Sequence, residues 1–393
     1  MPDPRSPSTS WRTRLVQPEV HAPAGFRSLA MPVYRGSTTL FDSAADTEDT
    51  WRTAQRPYRY GLYGTPTAME LAARMRELEG AAHTFLTPGG QAALALVDLA
   101  LLGAGDHVLL PENVYAPGLD VARRTLQRLG IEAEVYDPLA GAEVARQFKP
   151  NTRLVWCESP GSITMEVQDV RAIAQAAHAH GALVAVDNTY AAGVLFDAFA
   201  HGADVACQAL TKYVGGHSDL LLGSVSLRDD SLYERIGDTH QLLGMGVSPD
   251  DCSLALRGLQ TLPLRLDALG RSTLAVARWL AQRPEVKQVL HPALPSCPGH
   301  EHWLRDFTGS ASVFSIVLPP HHGREQIVRF IDALQLFHIG YSWGGVTSLA
   351  MPCFELPRRF RPLEGTVVRL NIGLEAVDDL LADLEQGLRE LQR

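Results

Sequence analysis

Lysine is nearly missing from this chain. Of the 35 basic residues among 393, only Lys149, Lys212 and Lys287 are lysines, which leaves 35 − 3 = 32 arginines. The skew reads as a compositional habit, yet it confines any lysine-based chemistry to three positions. Excess positive charge is missing too: 44 acidic residues against 35 basic give a net charge of −9. Binding to a phosphate backbone wants clustered cations, so nucleic acid is excluded as the main partner. The five cysteines (157, 207, 252, 297 and 353) are odd in number, widely spaced and without a CxxC pair. That excludes a disulfide framework and points to a reducing, cytoplasmic compartment. No apolar run approaches the ~18 residues that would span a bilayer. The leader MPDPRSPSTSWRTRLV has no apolar signal core, and Pro2, Pro4 and Pro7 oppose an amphipathic targeting helix. A flexible cytosolic leader and no membrane partner are the expectation.

What is present is alternation. Residues 1–62 are rich in Pro, Thr and Arg with little periodicity, and read as an extended arm ordered against something else, such as another subunit. From about residue 66, TAMELAARMRELEG has helical spacing and stops at Gly80. HTFLT, DHVLLP, IEAEVYD, TRLVWCES, ALVAVDN, DVACQALT and DLLLGSVSL read as strands. QAALALVDLALL, LDVARRTLQRLG and VRAIAQAAHAHG read as helices between them. Short apolar strands alternating with helices indicate an α/β domain with a mostly parallel sheet covered on both faces. Beyond about 250 a long helical stretch, interrupted at Pro263, leads into VKQVLH, SVFSIVL and TVVRLNI strands and two surface helices, a smaller α+β domain. The expected division is an arm at 1–62, a large domain at 63–254 and a C-terminal domain at 255–393.

In such a sheet, ligands sit beyond the carboxyl ends of the strands. Asp187 closes the apolar run ALVAVD, where a carboxylate needs a cationic or hydrogen-bonding partner. It also suits a plain turn aspartate, and position alone does not choose. Lys212 follows the apolar strand DVACQAL, whereas Lys149 and Lys287 lie in polar, turn-like contexts. A desolvated lysine has a lowered pKa and can form a Schiff base with a carbonyl. Pro88-Gly89-Gly90-Gln91 joins a strand to a helix start, where free N–H groups can hold a phosphate, though many such turns hold nothing. Together the three match what pyridoxal 5′-phosphate requires: an anion site, an acid against the ring nitrogen and a Schiff-base lysine. Cys297, His300 and His302 with His291 lack paired zinc spacing, so no metal is expected. Gly244-Met245-Gly246 lacks a dinucleotide fingerprint, and no GxSxG elbow occurs.

The stretches YGLYGTPT, ESPGSITMEV, DNTYAAG, QALTKYVGGHSD, HPALP, RDFTGSASVFS and YSWGG resemble the Cys/Met-metabolism pyridoxal-phosphate enzymes, and most of all their bacterial β-lyase branch. The resemblance runs from about residue 26 to the C-terminus. It implies the PLP-dependent transferase fold type I, aspartate-aminotransferase-like, in a homotetramer of two active dimers. It makes Lys212 the Schiff-base lysine, Asp187 the ring-nitrogen partner and Tyr115 the aromatic residue stacked on the ring. Gly90, Gln91 and Thr211 would hold the phosphate, joined by Tyr60 from the neighbouring subunit. Arg369 would clamp the substrate α-carboxylate, as its bidentate fork suits. Tyr341, Ser342 and Trp343 would line the substrate side.

That resemblance implies a C–S β-lyase that cleaves L-cystathionine to L-homocysteine, pyruvate and ammonia. The Tyr341–Gly345 segment with Trp343 favours β- over γ-elimination, as does Ser162, where γ-enzymes usually have Asn; Trp343 would serve equally as core packing. The alternatives are a cystine or cysteine β-lyase, a γ-acting enzyme, or a non-catalytic regulatory relative. Two positions depart from the common pattern. Leu62 stands where many relatives have a phosphate-binding Arg, and Ala209 where γ-enzymes often have Ser. Tyr60, the glycine turn and the helix dipole are expected to hold the phosphate without that Arg.

Overall fold

The computed structural model describes residues 10–17, 25, 28–47, 50–52 and 58–392. Seven strands form the larger sheet: β1 His83–Thr87, β2 His107–Pro111, β3 Glu132–Tyr136, β4 Thr152–Glu158, β5 Leu183–Asp187, β6 Val205–Ala209 and β7 Gly223–Leu227. Their order is β1-β7-β6-β5-β4-β2-β3. The pairs β2–β3, β2–β4, β4–β5 and β5–β6 are parallel, and β7 alone runs against its neighbours. Strand residues alternate between two cores. Leu154, Trp156 and Ala185 pack beneath the helix Gly90–Leu101, while Val155, Cys157, Val184 and Val186 pack against the helix Val170–His180. Both faces are covered, which is why these strands are apolar throughout.

Five further strands form the second sheet: β8 Gln288–Leu290, β9 Val313–Leu318, β10 His338–Ile339, β11 Leu349–Cys353 and β12 Thr366–Asn371, in the order β10-β11-β12-β9-β8. Only β10–β11 is parallel. Helices Arg324–Ala333 and Val377–Leu388 cover it, burying Ile327, Phe330, Leu380 and Leu384. Both sheets therefore have the architecture expected from the sequence, a large mostly parallel domain and a smaller α+β one.

Pro263 does not interrupt the long helix, contrary to expectation. One helix runs from Pro249 to Leu280, through the expected 254/255 boundary, with Pro263 inside it and buried. Proline removes one intrahelical hydrogen bond and crowds the preceding turn. The carbonyl left without its N–H partner is that of Leu259; in the same turn the neighbouring Gly258 carbonyl accepts from Arg265 Nη2 at 2.7 Å and from Thr261 Oγ1 at 3.2 Å. The helix is also buried on both sides of the proline, at Leu259, Leu262, Leu266 and Leu269.

The arm is not featureless either. Trp11–Val16 is a short helix that buries Leu15 against the chain's own core. Arg12 pairs with Asp267 at 2.7 Å, and Arg35 Nε reaches Asp250 at 2.8 Å, both on the long helix. The helix Pro66–Glu79 ends as expected, with Gly80 left-handed at φ +65° and its N–H bonded back to Arg76 and Glu77. No helix among the described residues is long and apolar enough to cross a membrane.

Candidate active site

The carboxyl ends of the parallel strands meet at one cavity of about 310 Å³. That is within the usual range for a small-ligand site. Its lining includes Gly90, Gln91, Tyr115, Glu158, Ser162, Asp187, Thr211, Lys212 and Trp343. Each arrives there for a topological reason. Glu158 and Asp187 are the last residues of neighbouring strands β4 and β5 and stand directly opposite each other in register. Lys212 lies three residues past the end of β6, Tyr115 four past the end of β2, and Gly90 opens the helix after β1.

Asp187 is held by its neighbour. Oδ1 accepts from the Thr189 N–H at 3.0 Å and from Thr189 Oγ1 at 2.5 Å, and Thr189 Oγ1 in turn accepts from the Ala209 N–H at 2.9 Å. No donor among the described residues reaches Oδ2, which leaves that oxygen for a ligand. Burial raises the Asp187 pKa, and the Thr189 hydrogen bonds and the Lys212 charge partly offset the rise. Glu158 rises well above the usual carboxylate range, through burial and then through Asp187 itself. Two carboxylates this close and this dry do not both ionise.

Lys212 Nζ donates to Ser342 Oγ at 2.5 Å and lies 5.2 Å from the centre of the Trp343 ring. Burial lowers the amine to about 8, and the Arg369 charge pushes the same way against Asp187. Ser342 has φ +78°, a left-handed conformation rare outside glycine, so this segment is bent to present its hydroxyl. The Ser342 carbonyl lies 3.4 Å from Arg369 Nη2. Arg369 sits on β12 between Met351 and Ser315 of the flanking strands, and burial lowers its pKa. Lys212 and Arg369, 157 positions apart in the sequence, thus meet across Ser342.

The residues fit pyridoxal phosphate. Asp187 Oδ2 is an available acceptor for a ring N–H. The first turn of the helix Gly90–Leu101 has N–H groups without intrahelical acceptors. A Cβ at Gly90 would come 2.5 Å from Ala209 Cβ, so only glycine leaves the cradle its shape. The Thr211 hydroxyl lines the cavity and also bonds the backbone of Leu222 at 3.2 Å. Trp343 lines the cavity and also packs against the core at Tyr213, with ring centres 5.4 Å apart.

Four expected site residues are not among those lining the cavity: Ser342 and Arg369, which connect to it through Lys212, and Tyr60 and Tyr341. Tyr60 bridges Thr38 and packs edge-on against Tyr63. Tyr341 is 84% exposed. Leu62 lies in the turn Gly61–Tyr63, with Cδ1 3.1 Å from where a Gly246 Cβ would be. Two residues that sequence reasoning passed over belong here. Glu158 Oε2 accepts from the Tyr115 N–H at 2.5 Å, and Oε1 accepts from the Ser162 hydroxyl. Thr189 fixes Asp187. The strand-end criterion that singles out Asp187 applies to Glu158 without change, but Glu158-Ser159-Pro160-Gly161 looks like a turn. His291, Cys297 and His300 form no cluster: Cys297 bonds the Met165 carbonyl and His300 the Pro292 carbonyl.

The chain is 45% identical over 361 residues to a putative cystathionine beta-lyase of Rhizobium johnstonii, covering 91% of this chain and 90% of that one. It is 43% identical over 368 residues to cystathionine beta-lyase MetC of Escherichia coli K12, covering 91% and 93%. Its fold superposes on the crystal structure of cystathionine gamma-lyase from Lactobacillus plantarum, complexed with L-serine, with a TM-score of 0.87 at 26% identity, covering 98% and 100%. A family model described as Cys/Met metabolism PLP-dependent enzyme matches residues 12–389, and the chain belongs to that family.

Proposed function

We propose that this protein is a carbon–sulfur β-lyase that converts L-cystathionine and water to L-homocysteine, pyruvate and ammonia. The observation that carries the reading is the junction at Ser342, which gathers a proton carrier, a carboxylate clamp and the Trp343 wall in one place. The similarity over nine-tenths of the chain to proteins named cystathionine beta-lyase supports it.

Arg369 presents its fork to the substrate α-carboxylate, which fixes the substrate's orientation. The Lys212 amine, lowered to about 8, takes the proton from Cα at Nζ and delivers it to the departing sulfur. Ser342 Oγ holds Nζ between those two positions. Asp187 would pair with the ring nitrogen of the cofactor and favour its protonated form, Tyr115 would support the ring, and Gly90, Gln91 and Thr211 would hold the phosphate. Pyridoxal phosphate, when bound, supplies the electron sink for the charge that develops at Cα.

The rest of the assembly belongs to the same proposal. Tyr60 reaches the phosphate of a neighbouring subunit, in a tetramer of two active dimers. The arm ends at 62 and the large domain near 254, and the enzyme works in the cytoplasm, where its unpaired cysteines stay reduced.

A product assay with L-cystathionine, L-cystine and L-methionine tests the reading. Pyruvate with homocysteine from cystathionine is expected. 2-Oxobutyrate with cysteine would show γ-elimination instead, and cystine as the better substrate would move the enzyme to another β-lyase activity. Failure of the purified chain to take up the cofactor, in a titration at micromolar concentrations, would end the enzymatic reading.

A further inference from the structure

Outside the cavity, the most enclosed cluster of charges is built around Arg358. This arginine lies in the segment between β11 and β12, in the sequence Pro357-Arg358-Arg359-Phe360-Arg361. Its side chain is 3% exposed, and its two carboxylate partners, Glu112 and Glu166, are 7% and 4% exposed. Nε reaches Glu112 Oε2 at 3.1 Å, Nη2 reaches Glu166 Oε1 at 2.7 Å, and Nη1 donates to Thr164 Oγ1. Glu112 also accepts the backbone N–H groups of Arg359 and Phe360.

The two carboxylates sit on two adjoining loops that line the cavity through Tyr115 and Ser162. Glu112 is three residues before Tyr115, and Glu166 is four after Ser162. The loops are in direct contact. Asn113 Nδ2 donates to the Glu166 carbonyl at 3.3 Å and Ser162 N–H to the Asn113 carbonyl at 3.3 Å, while Gly161 N–H closes the second loop on its own Glu166 carbonyl at 3.1 Å. A Cβ on Gly161 would fall 2.3 Å from Asn113 Nδ2, so the Asn113 side chain packs where only glycine leaves it room.

We propose that Arg358 is a positioning residue: from the C-terminal domain it locks the Tyr115 and Ser162 loops together and so fixes the width of the substrate site. The inference rests on the assignment of this cavity as the pyridoxal-phosphate site. Removing the guanidinium leaves two buried carboxylates facing each other with no cation between them, which drives the loops apart. Loss of registry between Tyr115 and Ser162 then loosens both ring stacking and substrate placement. Arg361 supplies the control. It ties the same segment to Asp137 at 2.8 and 3.0 Å, but is 40% exposed, and the loop after β3 that carries Asp137 contributes no residue to the cavity.

The test uses the full-length, cofactor-loaded protein and the variants Arg358→Met, Arg358→Lys and Arg361→Ala. Visible circular dichroism per bound cofactor, KM and kcat, and the thermal midpoint are measured on each. Arg358→Met is expected to lose cofactor dichroism and to raise KM for the thioether substrate about tenfold. Arg358→Lys should recover part of both, because it restores the charge without the fork. Arg361→Ala should lower the midpoint only. Native dichroism and KM in Arg358→Met, with a lowered midpoint alone, would overturn the proposal, as would Arg361→Ala matching it in dichroism and KM. If Arg358→Met does not fold, Arg358→Lys and Glu112→Gln carry the same two outcomes. The dichroism is read without turnover, so it decides about Arg358 even if the products show another reaction. A wild-type chain that binds no cofactor would instead sink the site assignment.

Discussion

Burial, with the Arg369 charge, pushes the Lys212 amine of the cofactor-free chain down to about 8, against 10.5 for an ordinary lysine. The neutral amine needed to attack the cofactor aldehyde is then about one in ten at pH 7, where an ordinary lysine offers about one in 3000. The same depression is a stability effect. At about 1.36 kcal/mol per pH unit, a fall from 10.5 to about 8 corresponds to about 3 kcal/mol, and solvent at the cavity mouth brings it to about 1–3 kcal/mol. The sign follows from proton counting. Between pH 8 and 10.5 the unfolded chain holds the proton and the folded chain does not, so stability rises with pH through that window. Below 8 both states are protonated and the full cost remains. Lys212→Met keeps the packing and removes the charge. The cofactor-free variant should exceed the wild type by about 1–3 kcal/mol at pH 7, and the gap should close towards pH 10.5. Lysine labelled with ¹³C at Cε gives an independent reading, because the chain has only three lysines. One of three signals should titrate near 8 and vanish in Lys212→Met. If no signal moves below about pH 9.5, the cavity is wetter than the buried geometry requires, and the low-pKa argument for Lys212 falls.

Arg369→Lys should lower kcat/KM about 30- to 100-fold, mostly through KM, because a point charge replaces the fork facing the carboxylate; steady-state kinetics check this. Gly90→Ala places a Cβ 2.5 Å from Ala209 Cβ. The overpacking should cost about 1–3 kcal/mol in urea unfolding and weaken cofactor binding in a spectroscopic titration. Ser342→Gly should move two observables in opposite directions. Relief of φ +78° should stabilise the fold by about 1 kcal/mol, while loss of the Lys212 acceptor should slow turnover. A variant that is both less stable and fully active would refute the tethering role of Ser342.

How much of this was legible in the sequence depends on the range of the interaction. Alternating apolar strands and helices report local burial, so the large sheet can be read directly, and the strand-end rule leads to Asp187 and Lys212. The rule reaches Glu158 as well, but Pro160 and Gly161 disguise the end of β4 as a turn. Local cues also fail where tertiary packing overrules them. Pro263 looks like a break until the helix is seen buried on both sides of it, at Leu259, Leu262, Leu266 and Leu269. The strand β11 contains Pro352 and β10 has two residues, so neither carries a periodic signal.

The C-terminal segment shows the limit most clearly. Arg358, Arg359 and Arg361 form a charge run of the kind usually left in solvent, yet Arg358 is closed inside the protein and Arg361 is half outside. What separates them is the presence of Glu112 and Glu166, which lie 246 and 192 positions earlier and converge only after both sheets have formed. No window on the sequence contains that information. Tyr60 and Tyr341 present the complementary case. Both lie outside the cavity of a single chain, and the contact proposed for Tyr60 is with a neighbouring subunit. A chain with one usable lysine therefore announces its chemistry early, while the residues that aim that lysine and size its pocket become visible only through contacts made across the whole fold.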